Sequence, residues 1–106
     1  MINIEEFKKA ELKVAKIISA ERIDGSEKLL RLEVYLGQEK RQIIAGIGKA
    51  YNPEDLIDRQ IIIVANLEVR SLMGLESQGM VLAVNTESGP VLLMPDKEVA
   101  SGMDIR

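Results

Sequence analysis

Leu30-Arg31-Leu32-Glu33-Val34-Tyr35-Leu36, then Gly37-Gln38-Glu39, then the run from Arg41 to Ile47 (Arg-Gln-Ile-Ile-Ala-Gly-Ile), is the stretch whose reading decides the fold. Leu30, Leu32, Val34 and Leu36 alternate with Arg31, Glu33 and Tyr35, the two-residue period of a strand with one face in a core and the other in water. A glycine-containing loop of three residues then turns the chain back into a partner strand, which makes a β-hairpin. On this reading both strands carry their cations outward.

Upstream, Leu12 to Ile23 is rich in Val, Ile and Ala, and its apolar phase slips near Ala15 and Lys16, as in a bulged and strongly bent first strand. Asp24-Gly25-Ser26 supplies the turn that follows. At the N-terminus, Asn3 with Glu6 reads as a capping box opening a short helix from Ile4 to Ala10. Downstream, Asn52-Pro53-Glu54-Asp55 reads as a helix start of one or two turns, with Asn52 as cap, Pro53 at the first position and acids toward the positive end of the dipole. Ile61 to Ala65 is a continuous apolar run suited to a strand covered on both sides, and Met80–Val84 and Val91–Met94 give two more strands around the Thr86–Pro90 turn.

No repeat or linker interrupts this series, so residues 1–106 are expected to form a single domain. Three strands, a short helix and further strands fit an all-β, five-stranded OB barrel with an inter-strand helix, an N-terminal helix and a C-terminal strand extension. A small sandwich or another partly open barrel with one helix would read similarly.

Composition narrows function. The chain has neither cysteine nor histidine, which excludes disulfides, thiolate-bearing metal sites, imidazole bases and cysteine nucleophiles. No catalytic residue, cofactor or metal site is expected. The start lacks the layout of a signal peptide and no apolar run approaches the ~20 residues needed to span a bilayer, so the expectation is a cytoplasmic protein without membrane contact. The net charge of -3 argues, as an average, against a polyanionic partner. Its distribution does not: Lys8 to Lys49 holds ten Lys and Arg against six Asp and Glu, whereas Ala50 onward holds four against nine. A basic face with an acidic remainder is compatible with nucleic acid.

Several motifs dissolve on inspection. Ala45-Gly46-Ile47-Gly48-Lys49-Ala50 resembles a phosphate loop, but Ile43 stands where its first glycine belongs and Ala50 where Ser or Thr belongs. The glycines read instead as strand-end turn residues. Gly74-Leu75-Glu76-Ser77-Gln78-Gly79 is a poor nucleophile elbow, with Leu75 in place of glycine and no histidine to take the proton. Glu54 with Asp55 and Asp96 with Glu98 read as capping and turn carboxylates.

Two features remain. Lys28, Arg31, Lys40 and Arg41 fall on or beside the hairpin face that OB domains commonly use, although a charged strand face is equally what any β protein shows to solvent. The segment from Asn66 to Ala83 is longer than a turn needs and mixes two glycines and two methionines with Asn, Ser, Gln and Arg70, groups that suit sugar and phosphate oxygens. Phe7, Tyr35 and Tyr51 are the only aromatics, so a base-stacking platform for single strands is lacking and a folded RNA is the better target.

That segment, with Phe7–Val14, Ser26–Leu30, Ala45-Gly46-Ile47 and Leu92–Val99, resembles the tRNA-binding domain family found at the C-terminus of methionyl-tRNA synthetase and as free-standing tRNA-binding proteins. The family also includes an export-related chaperone. The resemblance implies an OB barrel gripping the outer corner of folded tRNA with little regard for the anticodon. It further implies homodimers in bacterial-type members, and a possible partner in the catalytic part of a methionyl-tRNA synthetase. Carried over position by position, it implies RNA contacts at Lys28, Arg31, Arg41, Asn66, Arg70, Met73, Ser77, Gln78 and Met80, with Lys28 and Arg70 as the strongest anchors. Relatives often have Lys, Pro and Lys where this chain has Glu68, Val69 and Ser71, which implies weaker, more salt-sensitive binding. Ala15 replaces a usual glycine, and Ile23-Asp24 a common His-Pro pair. The rival from another class is a protein-binding or chaperone-like dimeric module.

Overall fold

The computed structural model describes residues 1–106. A helical turn, α1 (Ile4–Phe7), precedes β1 (Leu12–Arg22), β2 (Leu30–Tyr35) and β3 (Lys40–Ala45). A 3-10 turn (Pro53–Asp55) leads into β4 (Gln60–Val64), a hairpin of β5 (Arg70–Leu72) and β6 (Leu75–Ser77), β7 (Met80–Val81), and a last hairpin of β8 (Ala83–Thr86) and β9 (Gly89–Leu92). Five strands form one curled sheet in the order β3-β2-β1-β4-β7.

The alternation in β2 does what it predicts: Leu30, Leu32 and Val34 are fully buried while Glu33 and Tyr35 face water. Register then decides β3. Leu30, Leu32 and Val34 lie opposite Ala45, Ile43 and Arg41, so Arg41 belongs to the inward row, and only Arg31 and Lys40 are outward cations. This corrects the expectation that both strands turn all their cations out. Its cause is the unbroken run Ile43-Ile44-Ala45, in which either phase places apolar groups on both faces.

The first strand makes the curl possible. Leu12 to Lys16 pair with β4, Lys16 to Arg22 pair with β2, and the register slips between Ile17 and Ser19, slightly later than the apolar phase suggests. A bulge bends a strand and increases its twist, so one strand can serve both halves of a barrel wall. Thirteen buried residues fill the interior, mostly Ile, Leu, Val and Ala from the first four strands together with Ile47 and Leu56.

The N-terminal helix is shorter than expected, and the inter-strand helix is the single turn at the lower end of its expected length. The capping box is present, with Glu6 N–H donating to Asn3 Oδ1 at 2.9 Å and Asn3 N–H to Glu6 Oε1 at 3.4 Å, but α1 ends at Phe7 because Lys9 and Ala10 bond back only three residues. Pro53 opens a single 3-10 turn, and Asn52, although extended as a cap should be, makes no capping bond with its side chain. The turn delivers Leu56 into the core.

The C-terminal extension carries only one isolated bridge, Lys13 to Asp104, yet it is tightly tied. It runs beside the half of β1 that β2 leaves free: Val14 N–H donates to Met103 O, Gly102 N–H to Val14 O at 2.7 Å and Ile105 N–H to Leu12 O. Gly102 has a φ of +92° and crosses so close to the Leu36 carbonyl that a side chain would overlap it. No helix of the chain is long and apolar enough to cross a membrane.

Candidate nucleic-acid interface

One end of the barrel gathers three loops. The turn after β1 (Ile23 to Leu29) lies against the strand end at Gly46–Gly48 on one side and against the tip of the β5–β6 hairpin on the other. Gly48 N–H donates to Lys28 O at 2.7 Å, and a Cβ at Gly48 would stand 2.6 Å from Glu27 O, so only glycine allows this approach. Arg22 Nη1 donates to Gly48 O at 2.9 Å and ties the same corner. The glycines of Ala45–Gly48 are therefore packing glycines that bring two loops together. Gly46 leaves room for the Lys28 side chain, whose Cε lies 3.0 Å from where a Cβ would be.

The hairpin tip is built by backbone conformation. Met73 and Gly74 have φ of +50° and +78°, and Leu72 pairs with Leu75. Positive φ at both central residues is the signature of the tight type I′ turn, which normally selects Asn-Gly or Asp-Gly. Here Met73 bears the left-handed conformation, and its Sδ-methyl end reaches the open space over Gly25. Leu75 lines a small cleft with Arg22, Asp24 and Arg31, so hairpin and barrel wall share that surface.

Charge on this surface separates into bound and free groups. The chain has three ion pairs: Lys13–Asp104, Arg31–Glu21 and Arg41–Glu39. Lys28 and Arg70 are exposed and have no carboxylate within ion-pair distance, so their charge is available to an incoming anion. Arg31 is half-buried and must share itself with Glu21.

The residues singled out from the sequence fall into three groups. Lys28 packs along Gly46 on one side of the β1–β2 turn, Met73 reaches Gly25 on the other, Arg31 lines the cleft with Asp24 and Leu75, and Arg70 is at the base of the adjoining hairpin. Ser77 and Gln78 lie on the seam between that hairpin and β3. The Ser77 hydroxyl is buried, accepts from Ile44 N–H at 2.9 Å and donates to Gly79 O at 3.1 Å. Gln78 Oε1 accepts from Gln42 N–H at 2.9 Å. Exposed Met80 starts β7 just beyond the seam. Arg41 and Asn66 sit toward the other end of the barrel: Arg41 lies four registers from Leu30, roughly 13 Å at ~3.3 Å per residue.

At that far end both are occupied. Arg41 Nη1 donates to the carbonyls of Ala65 and Gln78, while Asn66 Nδ2 donates to Lys9 O at 2.6 Å and its Oδ1 accepts from Glu11 N–H at 2.8 Å. Sequence reasoning missed Gln42, whose Nε2 donates to Glu76 O at 2.9 Å. A lone glutamine in a strand carries no signal of such a bond.

An OB-type barrel with free cations and close-packed loops at its β1–β2 turn and β4–β7 connection is an RNA-binding module by class. The chain belongs to the tRNA-binding domain family: residues 12–104 match the family model described as "Putative tRNA binding domain". It is 52% identical over 104 residues to methionine–tRNA ligase of Caldanaerobacter subterraneus subsp. tengcongensis, a match covering 98% of this chain and 16% of that protein. The chain thus spans about one-sixth of the length of the curated relatives it matches. Among solved structures it is similar to a MetRS-related protein from Pyrococcus horikoshii, with a TM-score of 0.94, 36% identity and coverage of 100% of this chain and 98% of that one. It is also similar to the chaperone CsaA of Bacillus anthracis str. Ames, with a TM-score of 0.91, 35% identity and coverage of 100% and 99%.

Proposed function

We propose that this domain holds folded tRNA by shape and backbone contacts and performs no chemistry itself, either appended to a methionyl-tRNA synthetase or as a free-standing homologue supporting aminoacylation in the cytoplasm. The observation that carries the reading is that Lys28 in the β1–β2 turn, and Arg70 at the base of the β5–β6 hairpin whose Met73 tip touches that turn, are both exposed and unpaired. Contacts to phosphate position a nucleic acid, and few stacking aromatics are needed when the target is already folded. Lys28, Arg31, Arg70 and Met73 form the contact set at this end, and exposed Met80, which pairs with Val64 in β4, extends it toward Arg41 and Asn66. Arg41, Asn66, Ser77 and Gln78 reach RNA only where their internal hydrogen bonds leave atoms to spare.

Two copies pair through the apolar C-terminal region, and each contributes one basic face. Leu93, Met94 and Val99 are exposed by 37%, 70% and 40%, which supports this arrangement. Pairing raises the effective concentration of the second face and offsets weak single sites.

The experiment is competition for the labelled domain between folded tRNA, an unstructured RNA of equal phosphate count and an unfolded polypeptide. Folded tRNA is expected to compete best. Preference for the polypeptide would favour the chaperone-like reading that the name of the Bacillus anthracis relative suggests.

A further inference from the structure

We propose that Gln42, together with Ser77 and Gln78, is a positioning residue of the RNA interface: it fixes the β5–β6 hairpin on the barrel wall so that Arg70 and Met73 are held beside the β1–β2 turn. This rests on the tRNA reading above.

The seam between β3 and the hairpin is not an ordinary ladder. Gln78 N–H donates to Gln42 O at 2.8 Å, and that is its one bond between backbone groups. Two N–H groups on this edge of β3 are met by side chains: Ile44 by the Ser77 hydroxyl and Gln42 by Gln78 Oε1. Gln42 answers in the opposite direction, through Nε2 to Glu76 O. Each of these bonds spans more than thirty residues of chain, so together they determine where the hairpin docks.

Ser77 is 4% exposed, and its hydroxyl accepts from Ile44 N–H and gives its one proton to Gly79 O, so it has no donor left for RNA. Next to it, Gly79 has a φ of +150°, and a Cβ there would lie 3.1 Å from Val64 O and 3.3 Å from Ile43 Cδ1. The chain must turn sharply here to leave the hairpin for β7. Arg70 pairs across the hairpin with Ser77, so a shift of the seam moves that cation directly.

Two sets of variants test this. Gln42 lies on the outer face and Gln42→Ala leaves the core intact. Hydrogen exchange on the free domain is expected to speed up at Ile44 and at the Arg70–Ser77 amides while Leu32 and Ile63 keep their protection. In tRNA binding, Gln42→Ala is expected to weaken affinity about fivefold in the wild-type background and less than about twofold when Arg70→Ala is already present, because coupled residues are non-additive. Additive losses, or unchanged exchange in the hairpin, would overturn the proposal. Gln78→Glu keeps the acceptor for Gln42 N–H whereas Gln78→Ala removes it, so hydrogen exchange at Gln42 and across the hairpin amides is expected to speed up in Gln78→Ala and not in Gln78→Glu; equal rates in the two would overturn the proposal. Should Arg70→Ala alone leave binding unchanged, the tRNA reading falls, and the exchange measurement still decides whether the seam holds the hairpin.

Discussion

Lys13 and Asp104 join the first strand to the C-terminal tail with an ion pair of 2.8 Å, at the edge of β1 that no other strand covers. The hydrogen bond from Lys13 holds the Asp104 carboxyl below the usual carboxylate range, and the same bond holds the Lys13 ammonium above its ordinary value. A depressed carboxylate stabilises the folded chain above its unfolded pKa and loses that contribution as pH falls through the folded one. A raised ammonium contributes fully below its unfolded pKa and loses it as pH rises through the folded one. The pair therefore supports the tail across the neutral range and fails at both extremes. Asp104→Asn is expected to lower the urea midpoint slightly at pH 7, and the gap from wild type should close as the pH drops well below about 4, where the wild-type carboxyl is also neutral. A gap that persists in acid would mean that Asp104 acts through packing. Single residues of this kind were opaque in the sequence, since nothing about Lys13 or Asp104, ninety-one positions apart, announces that they meet.

Among the elements, β2 was legible because strict alternation over Leu30–Tyr35 admits one phase only, and the capping box at Asn3 because its signal is local. β3 was legible as a strand but not in its facing: Ile44 looks outward, beside Arg31, and is nevertheless buried under the hairpin. The β5–β6 hairpin was readable only as an unusual loop. Met73-Gly74 lacks the Asn or Asp that marks a type I′ turn, and three-residue strands are too short for a period to register. A left-handed methionine is the kind of local strain that functional sites retain. Met73→Asn should relieve it and raise stability by up to about 1 kcal/mol, read from the thermal or urea midpoint. The same change removes the side chain that spans to Gly25, so tRNA affinity should fall while stability rises. If both increase together, Met73 is merely a poor turn residue.

For the whole molecule, the order of strands and turns made an OB barrel readable, whereas the uneven spread of charge along the chain gave only the expectation of a basic face despite the net charge of -3. Which cations remain free was not readable, because that depends on pairings such as Arg31 with Glu21 and Arg41 with Glu39 that only the folded chain creates. The proposed pairing uses the opposite kind of surface, the exposed apolar groups Leu93, Met94 and Val99. Light scattering is expected to give twice the 11.8 kDa chain mass, and Met94→Asp to shift it toward the monomer with a parallel loss of tRNA affinity. A monomer at all concentrations would remove the paired arrangement and leave the single face to account for binding.

That face can be tested directly by measuring tRNA affinity across a range of salt concentrations for the wild type, Lys28→Ala and Arg70→Ala. Each variant should bind several-fold more weakly, by about 1 kcal/mol, with a slope of log K against log salt that is shallower by about one. Slopes identical to wild type in both variants would contradict the assignment of these two cations to the RNA backbone.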